Sequence, residues 1–248
     1  MKEVDGKVGA IIVAAGTSSR MGGIDKVFAQ LGGEPLLAKI VNVFQNCSPI
    51  DEIVIVLARK NLGQGRKLVK EYGWPKVIAV CPGGLRRQDS VRVGLKRLAG
   101  CDWVVIHDGA RPCIDADIIE RGLAAAHKSG AAIAGVPVKE TIKIVSRRRF
   151  VQQTPERQSL WAAQTPQVFR YDLIAEAYRQ VKTEVTDDAS LVEQMGHKVE
   201  VYMGSYQNIK VTTPEDLAIA QVLLRNNGQA SFDSGVICAS VSATTPIG

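Results

Sequence analysis

The 248-residue sequence is poor in the residues that build disulfide and metal sites. Its five cysteines (Cys47, Cys81, Cys101, Cys113 and Cys238) are odd in number and scattered, and none lies in a C-x-x-C pair. That spacing excludes a zinc knuckle and a disulfide framework, and predicts reduced thiols in a cytoplasmic protein. The three histidines, His107, His127 and His197, are far apart, which excludes a histidine-rich metal cluster. No apolar run is long enough to cross a bilayer, so no membrane role is expected. Residues 8–16 have the length of a signal-peptide core. Glu3 and Asp5 stand where its basic flank would be, and the segment reads as a strand.

Excess charge is also modest: 31 Lys and Arg against 25 Asp and Glu leave +6. Such a balance suits a pocket for polyanions as well as a nucleic-acid surface. With 46% apolar and 23% charged residues the composition is that of a globular protein, which excludes a disordered or collagen-like chain. The length allows one large domain or two small ones.

What is present is an alternation of short apolar runs with amphipathic stretches. Residues 8–14, 53–57, 77–81, 103–107 and 131–136 are nearly continuous apolar segments, as in strands buried on both faces. Between them, Leu36, Leu37, Ile40, Val41 and Phe44 share one helical face. So do Val91, Leu95 and Leu98, and then Ile118, Ile119, Leu123 and Ala126. Asp115 is placed to cap the third of these helices. Thr213-Pro214-Glu215-Asp216 sets a capping hydroxyl before a helix expected from Pro214 to about Arg225. This order predicts an α/β, Rossmann-like fold with a mostly parallel sheet and helices on both faces. Residues 1–226 form one domain, and 227–248, rich in Gly, Ser, Ala and Thr, form a loose tail.

The rhythm breaks between 138 and 169. Residues 141–145 and 150–153 alternate like paired strands around Ser146-Arg147-Arg148-Arg149, predicting a projecting β-arm at about 138–160. Such a hairpin has little core of its own, and a second subunit is its expected partner. Its basic tip reads as a solvated turn. No aromatic platform accompanies it, and no nucleic-acid partner is expected.

The first strand runs into Ala14-Ala15-Gly16-Thr17-Ser18-Ser19-Arg20-Met21-Gly22-Gly23, with Lys26 close behind. Small residues at the carboxyl end of a strand let anions approach the backbone, and Arg20 and Lys26 add positive charge. Neither the P-loop nor the G-x-G-x-x-G pattern is satisfied. On spacing alone, a phosphate-binding loop and an ordinary Gly/Ser-rich turn both remain open.

Five further motifs follow in order: Gly83-Gly84-x-x-Arg87-x-x-Ser90-Val91, His107-Asp108-Gly109-Ala110-Arg111-Pro112, Thr165-Pro166-Gln167, Thr186-Asp187-Asp188 and Asn208-Ile209-Lys210-Val211-Thr212. With the first loop they resemble the 2-C-methyl-D-erythritol 4-phosphate cytidylyltransferase family of the non-mevalonate isoprenoid pathway, over about residues 8–224. Ribitol 5-phosphate cytidylyltransferase is the nearest rival, and a non-catalytic nucleotide-binding protein is a rival from another class. The sequence departs from the family's usual pattern at Ser18, Asp25, Val27 and Gly109.

The resemblance implies transfer of a cytidylyl group from CTP to a phosphorylated polyol. It implies catalytic roles for Arg20, Lys26, Arg157 and Lys210. Ala14, Ala15, Gly16, Thr17, Gly83, Gly84, Ser90, Asp108 and Gly109 would surround the nucleotide, with Asp108 a ligand for Mg²⁺ or another divalent cation. Arg111, Thr141, Arg157, Thr165, Thr186 and Lys210 would contact the acceptor, Thr141 and Arg157 from the second subunit of a homodimer. Outside the resemblance, Lys210 reads as a strand residue. Arg86 and Arg87 read as a solvated face, although Arg87 matches the motif arginine. His107 reads as a packed strand end.

Overall fold

The computed structural model describes residues 5–16 and 25–230. In chain order its elements begin with β1 (Val8–Ala14), β2 (Gln30–Leu31), β3 (Glu34–Pro35), α1 (Leu36–Asn46), β4 (Glu52–Leu57), α2 (Leu62–Tyr72), β5 (Val77–Pro82) and α3 (Arg87–Arg97). They continue with β6 (Trp103–Asp108), α4 (Ala116–Ser129), β7 (Ala131–Pro137), β8 (Ile144–Val145), β9 (Val151–Gln153) and β10 (Trp161–Arg170). Helices α5 (Tyr171–Gln180) and α6 (Ala189–Gln194), strand β11 (Glu200–Met203) and helix α7 (Pro214–Ala230) complete the chain.

Seven strands form one sheet in the order β11-β7-β10-β6-β1-β4-β5. All pairings are parallel except those of β10, which runs antiparallel between β6 and β7. The predicted α/β class and mostly parallel sheet are therefore present. Each face is covered. Leu36, Leu37, Ile40 and Phe44 of α1 pack with Ile118, Ile119 and Leu123 of α4 on one side. Val91 and Leu95 of α3 pack with Ile174 and Ala177 of α5 on the other. Both faces of β1, β4 and β6 are thus removed from water, which is why these strands lack polar alternation. β5 differs: it is an edge strand, and Ile78 is 47% exposed.

Helix limits follow their caps. Asp115 accepts from the Ile118 N–H at 2.8 Å at the start of α4, and Gly130, at φ 81°, ends it. α7 opens at Pro214 but continues to Ala230, past the expected stop near Arg225. The expected hairpin is present in shorter form. Only Ile144–Val145 pair with Val151–Gln153, because a register shift and the left-handed Arg149 (φ 63°) tighten the turn. Four strands gave no recognised signal in the sequence: the two-residue β2 and β3, and β10 and β11. Among the described residues no helix is long and apolar enough to cross a membrane. Cys47, Cys81, Cys101 and Cys113 are free, buried thiols.

Candidate active site

Strand order reverses at β1: β4 and β5 lie on one side, β6 and its followers on the other. In open parallel sheets the crevice at such a switch point, outside the carboxyl ends of the strands, is where ligands bind. A cavity of about 190 Å³ lies there. Ala14, Ala15 and Gly16 form one wall, Gly84 to Arg87 with Ser90 another, and Asp108, Gly109, Lys26 and Lys210 the floor and rim.

Close backbone approach gives this cavity its shape. Val13 of β1 is in register with Asp108 of β6, and the Gly109 N–H donates to the Val13 carbonyl at 2.8 Å. A Cβ on Gly109 would lie 2.6 Å from the Ala14 Cβ, and one on Gly83 only 2.3 Å from the Ala15 Cβ. Glycine at both places lets the loops after β1, β5 and β6 converge. Ser90, 2% exposed, ties one of them down. Its Oγ accepts from the Gly84 N–H at 3.2 Å and donates to the Arg86 carbonyl at 3.3 Å.

The charged centre is Asp108. Its Oδ1 lies 3.0 Å from Arg87 Nε, and its Oδ2 lies 2.8 Å from Lys210 Nζ and 3.9 Å from Arg111 Nε. Burial alone would raise its pKa. Arg87, then Lys210 and Arg111, more than reverse that and hold the carboxyl well below the usual carboxylate range. Arg87 reaches onward to the fully buried Asp188, Nη1 to Oδ2 at 2.7 Å, and Tyr178 donates its hydroxyl to Asp188 Oδ1 at 2.5 Å. Lys26 extends to the same rim, where its ammonium donates to the Val211 carbonyl at 3.2 Å. Four cations (Lys26, Arg87, Arg111, Lys210) thus meet two carboxylates (Asp108, Asp188). The surplus is positive, as a polyanion site requires.

A neutral chain of hydrogen bonds supports Asp108 from behind. Its N–H donates to Thr165 Oγ1 at 3.0 Å, and that hydroxyl lies 3.1 Å from His107 Nδ1. His107 Nε2 lies 3.2 Å from the Arg111 carbonyl, an acceptor only, so Nε2 carries the proton and Nδ1 accepts from Thr165. Burial lowers the His107 pKa to about 4, which keeps the ring neutral. Asn208, also buried, donates to the Thr165 carbonyl at 2.8 Å, and its own carbonyl accepts from Arg111 Nη1 at 2.7 Å.

Residues 8–226 match the family model described as 2-C-methyl-D-erythritol 4-phosphate cytidylyltransferase. The chain belongs to this family. An enzyme of that name from Dehalococcoides mccartyi is 53% identical over 219 residues, covering 88% of this chain and 96% of the relative. One from Alkaliphilus oremlandii is 47% identical over 225 residues, covering 88% and 95%. The crystal structure of 4-diphosphocytidyl-2C-methyl-D-erythritol synthase from Anaerococcus prevotii superposes with a TM-score of 0.79 at 31% identity, covering 88% of this chain and 98% of that one. The cytidylyltransferase from Thermus thermophilus gives 0.71 at 31% identity, covering 88% and 99%. These relatives carry the methylerythritol name, and the ribitol phosphate alternative is not favoured.

Of the residues that the family resemblance singles out, Ala14, Ala15, Gly16, Lys26, Gly84, Ser90, Asp108, Gly109 and Lys210 line one cavity. Gly83 sits directly behind Ala15. Thr165 lies beneath Asp108, and Arg111 braces Asp108 without lining the cavity. Thr141, Thr186 and Arg157 are exposed and are not brought to the cavity within one chain; Arg157 Nη1 donates to the Lys139 carbonyl at 3.0 Å. Thr17 and Arg20 lie outside the described residues. Two readings are corrected. Lys210 is on a loop, held by the Val211 N–H to the Ala110 carbonyl at 2.7 Å, not on a strand. Arg87 is not part of a solvated face. Arg86 fills that role in a capping box with Asp89, while Arg87 turns inward between two carboxylates. The helical position next to the glycine turn was a signal for Arg87; nothing in the sequence pointed to Asp188 as its partner.

Proposed function

We propose that the protein transfers the cytidylyl group of CTP to 2-C-methyl-D-erythritol 4-phosphate, giving 4-diphosphocytidyl-2-C-methyl-D-erythritol and pyrophosphate. The observation that carries this reading is the cation cluster around Asp108 at the switch point of a sheet whose whole length matches the family. In this reaction a phosphate oxygen of the acceptor forms a bond to the α-phosphorus of CTP, and the bond from that phosphorus to the pyrophosphate oxygen breaks. The attacking phosphate is already ionised and needs no general base, which agrees with a neutral, fully enclosed His107. Catalysis rests on positioning and on offsetting negative charge that spreads over the phosphates. Lys26 and Lys210 reach the cavity from opposite ends of the chain, and Arg20 follows β1 in sequence. All three act as that counter-charge. The small side chains of Ala14, Ala15 and Gly84 along the cavity wall suit a pyrimidine.

Among the described residues no three His, Cys, Asp or Glu side chains cluster to hold a metal. Asp108 presents a single carboxylate at the rim. This donor set fits a Mg²⁺ ion that arrives on the nucleotide, since Mg²⁺ uses one or two carboxylates and takes its other oxygens from phosphate and water. When bound, the ion supplies charge neutralisation of the phosphates. Asp108 holds Lys210 and Arg111 in place with or without it.

The hairpin points to a homodimer. Ile142, Ile144, Val145, Phe150 and Val151 are exposed, Phe150 at 71%, on or beside two strands too short to stand alone. A second copy covers them, and Thr141 and Arg157 of that copy grip the acceptor's phosphate. The buried thiols fit a cytoplasmic location. The test is turnover of CTP with methylerythritol phosphate or ribitol phosphate, with and without a chelator, followed by pyrophosphate release and product mass. Mg²⁺-dependent product from the first acceptor is expected. Preference for ribitol phosphate would overturn the acceptor assignment.

A further inference from the structure

We infer that Asp25 is a positioning residue for Lys26: its carboxylate, hydrogen-bonded to the buried Asn61, fixes the turn that aims the lysine into the cavity. The inference rests on the proposed role of Lys26.

Asp25 begins the short 3-10 turn Lys26–Phe28, at φ −78° and ψ 102°. An Asp in that place ordinarily caps its own turn. Here it makes no side-chain cap bond. Its Oδ2 instead accepts from Asn61 Nδ2 at 2.6 Å, with Lys60 Nζ at 3.5 Å. Asn61 stands at the junction between β4 and α2, is 7% exposed, and likewise makes no cap bond with its side chain. Its backbone N–H is fixed to the Ala58 carbonyl at 2.8 Å. Two side chains that each forgo a local capping role thus meet in one tertiary bond.

That bond has a counterpart on the other flank of the lysine. Val27 is 1% exposed and sits in the core with Leu31 and Leu36, and the Phe28 N–H donates to the Asp25 carbonyl at 3.0 Å. Lys26 is therefore held between a polar anchor and an apolar one, and its Nζ reaches the Val211 carbonyl beside Lys210. A flexible four-carbon side chain gains precision only where its backbone is fixed. Asp25 Oδ1 makes no hydrogen bond although buried, so the carboxylate is not placed for its own solvation. Displacing a charged group by ~1 Å costs about 100-fold in rate.

The test uses the full-length protein, with kcat and KM for CTP measured for five variants beside wild type. Asp25→Ala and Asn61→Ala should each lower kcat by roughly 10- to 100-fold, with melting temperatures close to wild type. Asp25→Asn keeps an acceptor for Asn61 and should stay within about threefold of wild type. A general loss of structure would add to other losses. An effect acting through Lys26 should not, so Asp25→Ala combined with Lys26→Ala should be no slower than Lys26→Ala alone. Normal turnover in Asp25→Ala, or losses that multiply with Lys26→Ala, would overturn the inference while leaving the proposed reaction intact. If Asp25→Ala fails to fold, Asn61→Ala decides by the same criteria. A wild-type protein with no cytidylyl transfer would overturn both.

Discussion

Replacing Arg87 by methionine isolates what the buried charge network contributes. The aliphatic stem is kept and the guanidinium is lost. In the native protein that group joins Asp108 to Asp188, whose side chains are 10% and 0% exposed, at 3.0 and 2.7 Å. Without it Asp108 retains Lys210 and Arg111, but Asp188 is left with the Tyr178 hydroxyl as its remaining side-chain donor among the described residues. Removing one partner of a buried pair costs about 3–5 kcal/mol, because the other charge stays buried. Arg87 Nη2 makes no hydrogen bond in the native structure, so the guanidinium is not fully used and the lower end, about 3 kcal/mol, is expected. Urea denaturation at pH 7.5, with equal slopes for both proteins, reads this directly. The further change Asp188→Asn removes the stranded charge and keeps an acceptor for Tyr178, so the double variant should regain about 1–2 kcal/mol of the loss. A loss below about 1 kcal/mol, or a double variant as unstable as the two single changes added together, would refute the network's role.

Three other outcomes follow from the same geometry. His107 is held neutral in the folded protein, with a pKa of about 4 against 6.5 for a free imidazole, so the unfolded chain takes up a proton first. Its contribution, about 3 kcal/mol, is therefore present above pH 6.5 and lost as pH falls toward 4. Urea curves at pH 7.5, 6 and 5 should converge for wild type and His107→Gln, and parallel curves would contradict this. Arg157→Ala and Lys26→Ala should each be nearly inactive alone yet recover activity when mixed and allowed to exchange subunits; no recovery in a mixed assay would remove the shared site. Gly83→Ala places a Cβ 2.3 Å from the Ala15 Cβ and 2.7 Å from Ser90 Oγ. It should raise KM for CTP by about tenfold or more through an overpacking cost of ~1–3 kcal/mol, which steady-state kinetics would check.

The parts of the fold legible in the sequence are those governed by one rule at a time. β1, β4 and β6 are buried on both faces, so an apolar run sufficed to find them, and Asp115 and Thr213 marked helix starts by capping chemistry. β10 was hidden because it breaks two rules. It carries Gln164, Thr165 and Gln167, all buried, and Pro166 within a central strand, with a register shift between Ala163 and Gln167. Those polar groups are there for the site: Thr165 supports Asp108, and Gln167 accepts the Asp188 and Ala189 N–H groups at 3.1 and 3.2 Å. The cavity itself was legible from the family motifs, since small residues and cations at strand ends carry their own chemical signal. The Arg87–Asp188 pair was not, because an arginine beside another arginine at a helix start reads as surface until its distant partner is seen. Nor could a pattern show that Asp25 turns away from its own helix turn toward Asn61.

In the proposed reaction Lys26 and Lys210 act together on the phosphates of CTP. The most direct measurement is pyrophosphate release from CTP and methylerythritol phosphate by wild type, Lys26→Ala and Lys210→Ala, each checked for an unchanged melting temperature. Each substitution should lower kcat/KM by about 100-fold or more, the size expected for losing a preorganised transition-state contact. Turnover within about threefold of wild type in either folded variant would contradict it.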